Sequence, residues 1–376
     1  MPEPGRTVGV EEEFLLVDRS SGRPVPRAAE VLAAACSPPA GTVLQAELFA
    51  TQVEAATGVS TTLDEMRTRI HQGRSALAAA AESQRAHIVA TGTPPLAGPP
   101  AAISRGERFA RIGELYGGLL VDYESCGLHV HVGVPDRETA VAVIGHLRPW
   151  LPVLLALSGN SPFHAGADTG YASWRMVQQA RFPGSGVPPA FDSARAHDEE
   201  VARLVDLGVL VDDRMTFWLA RPSPHLPTVE FRAADASITP DGAVLQAALS
   251  RAMVRTALAE TAAGREAPKV DSQVAAAGVW TAARHGLAGP GVDLVAQRTA
   301  PAGALVQQLL VRVRDALEDV GDLSAVRSAV AHLEREGAGA ERQRRARTAG
   351  SAAVVRMLVA ATAPEQAGWR DPGRDR

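Results

Sequence analysis

Four segments of this chain set pairs of polar residues two positions apart inside otherwise apolar, β-prone sequence. They are Glu11 and Glu13 in TVGVEEEFLLV, Gln52 and Glu54 in ATQVEAATG, His129 and His131 in GLHVHVGV, and Glu230 and Arg232 in PTVEFRA. Side chains on a strand alternate between its faces, so each pair shares a face. A carboxylate buried in a sheet is costly unless it is paired or bound to a metal. Four such pairs in one chain point to a sheet with one polar, concave face. Glu12, between the first pair, is expected to point outward. Each pair also has a plainer reading. Glu11–Glu13 could be a solvated strand face, His129–His131 structural histidines, and Glu230–Arg232 a cross-strand ion pair.

The rest of the chain supplies helices to back such a sheet. Thr62 and Glu65 fit a capping box ahead of Met66, Ile70 and Leu77 at helical spacing. HIVATG (87–92) reads as a buried strand. Pro135 ends GLHVHVGV, and Asp136 caps a helix that runs into WLPVLLAL. Residues 159–195 are long, loop-like and rich in Gly and Pro, a pattern that favours a functional role. RMTFWLA (214–220) and PTVEFRA (227–233) read as a hairpin across RPSPH. Thr239–Pro240 opens a helix carrying Leu245, Leu249, Met253 and Ala257. From about residue 270 the pattern is helical to the end, with stripes at Leu309, Val313, Leu317 and at Leu323, Val326, Val330, Leu333. The expected class is α+β with a mostly antiparallel sheet. One domain spans 1–376: a sheet-containing core over 1–263, a helical part over 264–366, and a frayed tail over 367–376.

Composition narrows the function. With 376 residues, a net charge of −4 and 4% aromatic residues, the chain lacks both the basic surplus and the stacking platforms of a nucleic-acid binder. The apolar run Trp150–Leu157 is too short to span a bilayer. No leader pattern is visible, and the cysteines, Cys36 and Cys126, make no framework, so a cytoplasmic, reduced protein is expected. Cys126 reads as a buried, inert thiol. The one lysine, Lys269, lies in EAPKVDS, so neither a Walker A loop nor a kinase strand lysine exists. Phosphate chemistry must then rest on arginine and metal ions. Mg²⁺ is commonly held by one or two carboxylates plus substrate phosphates. Arg232 beside Glu230 suits a phosphate oxygen.

The segments TVGVEEEFLLVD (7–18), LFATQVEAATG (48–58), SCGLHVHVGV (125–134), LLALSGNSPF (154–163), DTGYASWR (168–175), FPGSGVPPAF (182–191) and TVEFRAAD (228–235) occur in an order that resembles the type 2 glutamate–cysteine ligase family, specifically its YbdK-type carboxylate–amine ligases. The resemblance implies a glutamine-synthetase-like catalytic fold, a curved sheet whose concave face holds ATP and Mg²⁺ or Mn²⁺. It implies that ATP phosphorylates a carboxylate, typically the γ-carboxylate of glutamate, and that an amine, typically that of cysteine, attacks the acyl phosphate. By matching positions, Glu11, Glu13, Glu54, Glu230 and His131 would be metal ligands. His129 and His131 would lie near metal or nucleotide phosphates. Arg232 would stabilise the transferred phosphoryl group, with Glu13 beside it in the catalytic set. Arg175, Arg181 and Gln52 are candidates for binding an amino-acid substrate. SGNSPF stands where the family more usually has SASSPF, close to the expected substrate pocket. Partners would be small molecules, with neither nucleic acid nor membrane among them, and a homodimer is the commonest assembly. Two rival readings use the same residues: a metal-dependent amidohydrolase opened by His-x-His, and a non-catalytic sensor of amino acids or nucleotides.

Overall fold

The computed structural model describes residues 3–35 and 38–364. Cys36 and the tail from 367 onward lie outside the described residues. The chain begins with β1 (Val8–Asp18), α1 (Ala28–Ala34), β2 (Val43–Ala46) and β3 (Gln52–Ala56). Next come α2 (Leu63–Ser83), β4 (Ala86–Val89), α3 (Glu107–Tyr116) and β5 (Gly127–Gly133). α4 (Arg137–Leu147) and α5 (Leu151–Ser158) follow end to end. Short pieces fill the stretch up to the last sheet strands: β6 (Phe163–His164), β7 (Ala167–Asp168), α6 (Trp174–Gln179), β8 (Ser185–Gly186), α7 (Ala194–Asp206) and β9 (Phe217–Trp218). β10 (Ala220–Pro222) and β11 (Thr228–Asp235) lead into α8 (Pro240–Ala262) and α9 (Ser272–His285). The hairpin β12 (Pro290–Asp293) and β13 (Arg298–Pro301) precedes α10 (Ala302–Arg312), α11 (Arg314–Asp319), α12 (Leu323–Glu336), α13 (Gly339–Arg347) and α14 (Ser351–Thr362).

Helix starts follow the capping residues. Thr62 and Glu65 form the reciprocal capping box of α2. Asp136 accepts from the Thr139 backbone N–H at 2.7 Å, and Thr239 accepts from that of Gly242 at 3.2 Å. Each cap satisfies a donor that a helix end leaves open.

The main sheet runs β10-β11-β5-β1-β3-β2, with β4 also on β1, and every pairing is antiparallel. β1 lies at its centre. Leu15 pairs with Gln52 of β3 on one side and Val89 of β4 on the other. The register places Glu13 opposite Glu54, Glu11 opposite His129, and Glu230 opposite both His131 and Arg221. The spacing-two pairs therefore converge on one face. Alternate residues such as Val8, Val10, Val130, Val132 and Val229 belong to a hydrophobic cluster shared with α4, α5, α8 and the helices from α10 to α12.

Several expectations need correcting. Glu12 does point away from the polar face, but it is buried, not solvated. Arg74 of α2 reaches both of its oxygens, with Nη2–Oε1 at 2.6 Å and Nε–Oε2 at 3.1 Å. The hairpin partner of β11 is Ala220–Pro222, while Phe217–Trp218 leaves the sheet and pairs in parallel with β8. The 159–195 stretch is not featureless; it contains α6, capped by Ser173. The C-terminal third is interrupted by the β12–β13 hairpin. The WLPVLLAL segment belongs to a longer helical run. Among the described residues, Arg137–Ser158 is apolar and long enough to cross a membrane, yet 83% of its apolar window is buried inside the protein.

Candidate active site

A cavity of about 300 Å³ opens over the polar face. β1 supplies Glu11 and Glu13, β3 supplies Gln52 and Glu54, β5 supplies His129 and His131, and β11 supplies Glu230 and Arg232. A register shift in β11 between Phe231 and Ala234 marks a bulge beside Arg232. Such a bulge re-aims a side chain. Arg232 Nη1 donates to Glu230 Oε1 and lies 3.5 Å from His129 Nδ1.

The charges of the site are mutually arranged. Burial pushes the Glu11 carboxyl up, but His129 and His131 outweigh it and hold the carboxyl well below the usual range. Glu230 is also held low despite burial, by Arg221, Arg232 and His131. Burial raises Glu13, even though Arg175, Arg232 and the Gly127 backbone N–H oppose it. Glu54 is raised well above its ordinary value by burial and by repulsion from Glu47, Glu11 and Glu13. Glu47 is pushed up to about 7 by burial and by Glu13. The two histidines part company. Burial and the Arg232 charge push His129 down to about 4, whereas Glu11 and Glu230 overcome burial and raise His131.

This donor set fits divalent cations. Three groups each offer ligand atoms within 4.8 Å of one another: Glu11, His131 and Glu230; Glu11, Glu54 and His129; Glu13, Glu47 and Glu54. The Nε2 atoms of His129 and His131 are buried without an aligned hydrogen bond, although carboxylate oxygens of Glu13 and Glu11 lie 3.6 and 3.2 Å away. His131 Nδ1 is 2.9 Å from Thr228 Oγ1. That contact orients the ring and leaves Nε2 for a ligand. Carboxylates that raise one another's pKa by repulsion are relieved by a cation between them.

The three substrate-binding candidates separate. Gln52 lines the cavity, with its amide nitrogen donating to the Ser125 carbonyl at 2.8 Å. Arg175 is 1% exposed and does not line it. Helix α6 turns its guanidinium inward, 3.7 Å from Asp235 and donating to the Arg232 carbonyl at 3.2 Å. Arg181 lies outside the lining as well, on Asp122 at 2.8 Å. Asn160 of SGNSPF is also away from the cavity, buried against Ala90, Asp235 and Ala236. Two participants escaped the sequence reading. Glu47 follows Gln45 at the same spacing of two, and Gln45 donates to Glu54 at 2.6 Å. Arg221, which sequence reasoning assigned to a turn, grips both oxygens of Glu230 at 2.7 and 3.1 Å.

The chain is similar to known proteins along nearly its whole length. The family model described as glutamate–cysteine ligase family 2 (GCS2) matches residues 7–361. A Saccharopolyspora erythraea protein is 59% identical over 367 residues, covering 96% of this chain and 94% of its own. One from Mycobacterium sp. (strain KMS) is 43% identical over 341 residues, covering 90% and 93%. Both carry the name "Putative glutamate--cysteine ligase 2-2". Among solved structures, glutamate–cysteine ligase from Francisella tularensis in complex with AMP superposes with a TM-score of 0.68 at 13% identity, over 98% of this chain and 90% of that one. A bifunctional glutathione synthetase from Pasteurella multocida gives 0.68 at 15% identity, over 96% of this chain and 52% of that one. At such identity these two likenesses establish the fold. From the family match and the close relatives, the chain belongs to glutamate–cysteine ligase family 2 and is a ligase of that type.

Proposed function

We propose that the protein joins a carboxylate to an amine at the expense of ATP, with Mg²⁺ or Mn²⁺ bound among Glu11, Glu13, Glu47, Glu54, His131 and Glu230. The observation that carries this reading is a single cavity wall where buried carboxylates face a guanidinium that is itself fixed by a carboxylate. Held by these carboxylates and His131, the cations would supply positive charge to neutralise phosphate oxygens. The chain's own groups supply the rest. Glu230 is gripped by Arg221 on one side, so it anchors Arg232 while staying ionised. Arg232 is held firmly protonated by Glu230 and Glu13 despite burial, so it presents a fixed positive charge to a phosphoryl group in transfer. His129, pushed toward the neutral form, adds a polar contact without a competing charge. The acyl donor's carboxylate oxygen attacks the γ-phosphorus and ADP leaves. The neutral amine nitrogen then attacks the acyl carbon, the C–O bond to phosphate breaks, and the nitrogen's proton leaves with the phosphate. The relatives' name supports glutamate as acyl donor, with the γ-carboxylate as the group the family resemblance implies, and a need for ATP is in keeping with a cytoplasmic setting.

Purified protein with Mg²⁺ should release ADP only when a suitable carboxylate and amine are both present. Glu13→Gln and Arg232→Ala should each lower kcat by about 100-fold or more, with the thermal transition retained. Full activity in either variant would remove these residues from the mechanism.

A further inference from the structure

A second cavity, of about 490 Å³, lies on the other side of the sheet and shares no lining residue with the first. The start of α2, the end of α5, the link from β11 into α8, and α12 with the start of α13 enclose it. Ser237 fixes its place. That residue lines the cavity, and its carbonyl accepts from Arg74, which holds Glu12 on the face of β1 turned away from Glu13. The floor is apolar. Leu63, Leu157, Ile238, Val244, Leu245 and Val326 are each at most 7% exposed. α12 closes the opposite wall loosely. Its Val326 and Val330 are fully buried, whereas Leu323, Ala329 and Leu333 of the same stripe are only partly so. Ser328, His332 and Glu336 stand exposed at the mouth. The volume falls within the range of small-molecule pockets, and an apolar floor rewards a group that displaces water from it.

The two arginines that line this cavity are met differently. Arg67 is neutralised by Asp64 at 2.9 Å and by Asp241 at 3.1 Å. Arg342 is half-buried and, among the described residues, its side chain has neither an ion pair nor a hydrogen bond. Its neighbours on α13 are satisfied: Arg344 pairs with Asp168, and Arg345 donates to the Glu336 carbonyl. Burial and the Arg345 charge push the Arg342 guanidinium below the ordinary arginine range, and the exposed Glu336 offsets only part of this. A half-buried cation without a counter-ion is costly, and a carboxylate can meet a guanidinium through two parallel hydrogen bonds. An apolar floor beside an unpaired guanidinium is complementary to an amphipathic anion. We propose that this cavity is a second binding site, which takes a small carboxylic acid with an aliphatic or aromatic body. The carboxylate meets Arg342 and the body lies on the floor.

Calorimetric titration of the full chain with octanoate, octanol, octylamine and acetate tests the assignment. Octanoate should bind once per chain with a Kd on the order of 100 μM. Octanol and octylamine should bind at least about tenfold more weakly, because neither offers a carboxylate to the guanidinium. Acetate should bind at least about a hundredfold more weakly, because it lacks the chain that covers the floor. Arg342→Gln should weaken octanoate by at least about tenfold and leave octanol unchanged. Ala329→Trp, which fills the floor from α12, should abolish octanoate binding; should that variant not fold, Arg342→Gln carries the test. Arg232→Ala should keep the octanoate affinity within about twofold, since a carboxylate held in the ligation cavity would lose its charge partner there. Octanoate bound no better than octylamine, an unchanged affinity in Arg342→Gln, or a loss in Arg232→Ala overturns the assignment.

Discussion

Glu12 and Glu13 are adjacent in sequence and buried on opposite faces of β1, and the charge of each is met differently. Glu13 faces a cavity in which a cation can compensate it. Among the described residues, Glu12 is met by Arg74, whose guanidinium also donates to the carbonyls of Thr362 and Ser237. Arg74→Met should therefore cost about 3–5 kcal/mol in denaturant unfolding, because it strands a buried carboxylate. The double variant with Glu12→Gln should recover part of that loss, and an unchanged midpoint for Arg74→Met would show that the pair carries little. Strand alternation alone was enough to separate Glu12 from its neighbours, but not to reveal its burial. The missing signal was in plain view: Arg74 sits four residues after Ile70 and three before Leu77, on the stripe that α2 buries. Arg175 was misread for a related reason. Its segment looked like a loop, so nothing indicated that Ser173 starts a helix and turns the guanidinium toward Asp235.

At the level of elements, the carboxylate cluster is assembled by three separate pieces: β1, β3 and the turn between β2 and β3 that carries Glu47. Glu47 is raised to about 7 and Glu54 well above its usual value. Groups raised on folding stabilise the protein when protonated, and that contribution is lost as pH climbs through the folded value. Cation-free protein should accordingly melt at a lower temperature at pH 8 than at pH 6. Cation affinity has the opposite sign, since the ligands must be ionised. Through Glu47 alone, a Mn²⁺ titration should tighten by about fivefold from pH 6 to 7 and by about twofold from 7 to 8. Glu47→Gln should flatten that dependence, and a pH-independent affinity in the unaltered protein would exclude Glu47 from the cation's ligands. The sequence patterns located long elements well, because β1, β5, β11, α2 and α8 repeat a period over enough residues to be read. They failed for two- to four-residue strands such as β9 and β12, whose pairing depends on partners brought in by the fold.

Across the whole molecule, the C-terminal helices complete the same core as the sheet. Leu305, Leu309, Val313, Leu317, Val326 and Val330 share one cluster with the valines of β1, β5 and β11. Each such side chain is worth roughly 1.5–3 kcal/mol when buried. Their joint loss is on the order of 10 kcal/mol, comparable with the entire stability of an ordinary domain. Residues 1–263 alone should fail to fold, and the full chain should melt in one cooperative transition; two calorimetric transitions would instead mark two independent units. The link extends behind the site. Gln343 of α13 donates to the Asn160 backbone carbonyl at 2.9 Å and to its side-chain oxygen at 2.8 Å, across 183 residues of sequence. The Asn160 backbone N–H donates to Asp235, which faces Arg175, which holds the Arg232 carbonyl. This sets an order in time during synthesis. A growing chain exposes Glu11, Glu13, Glu54 and Glu230 to dissolved ions long before Gln343 leaves the ribosome. Chains that terminate before Gln343 carry the acidic residues without the buried network behind Arg232, so translation must pass that residue before a working copy exists.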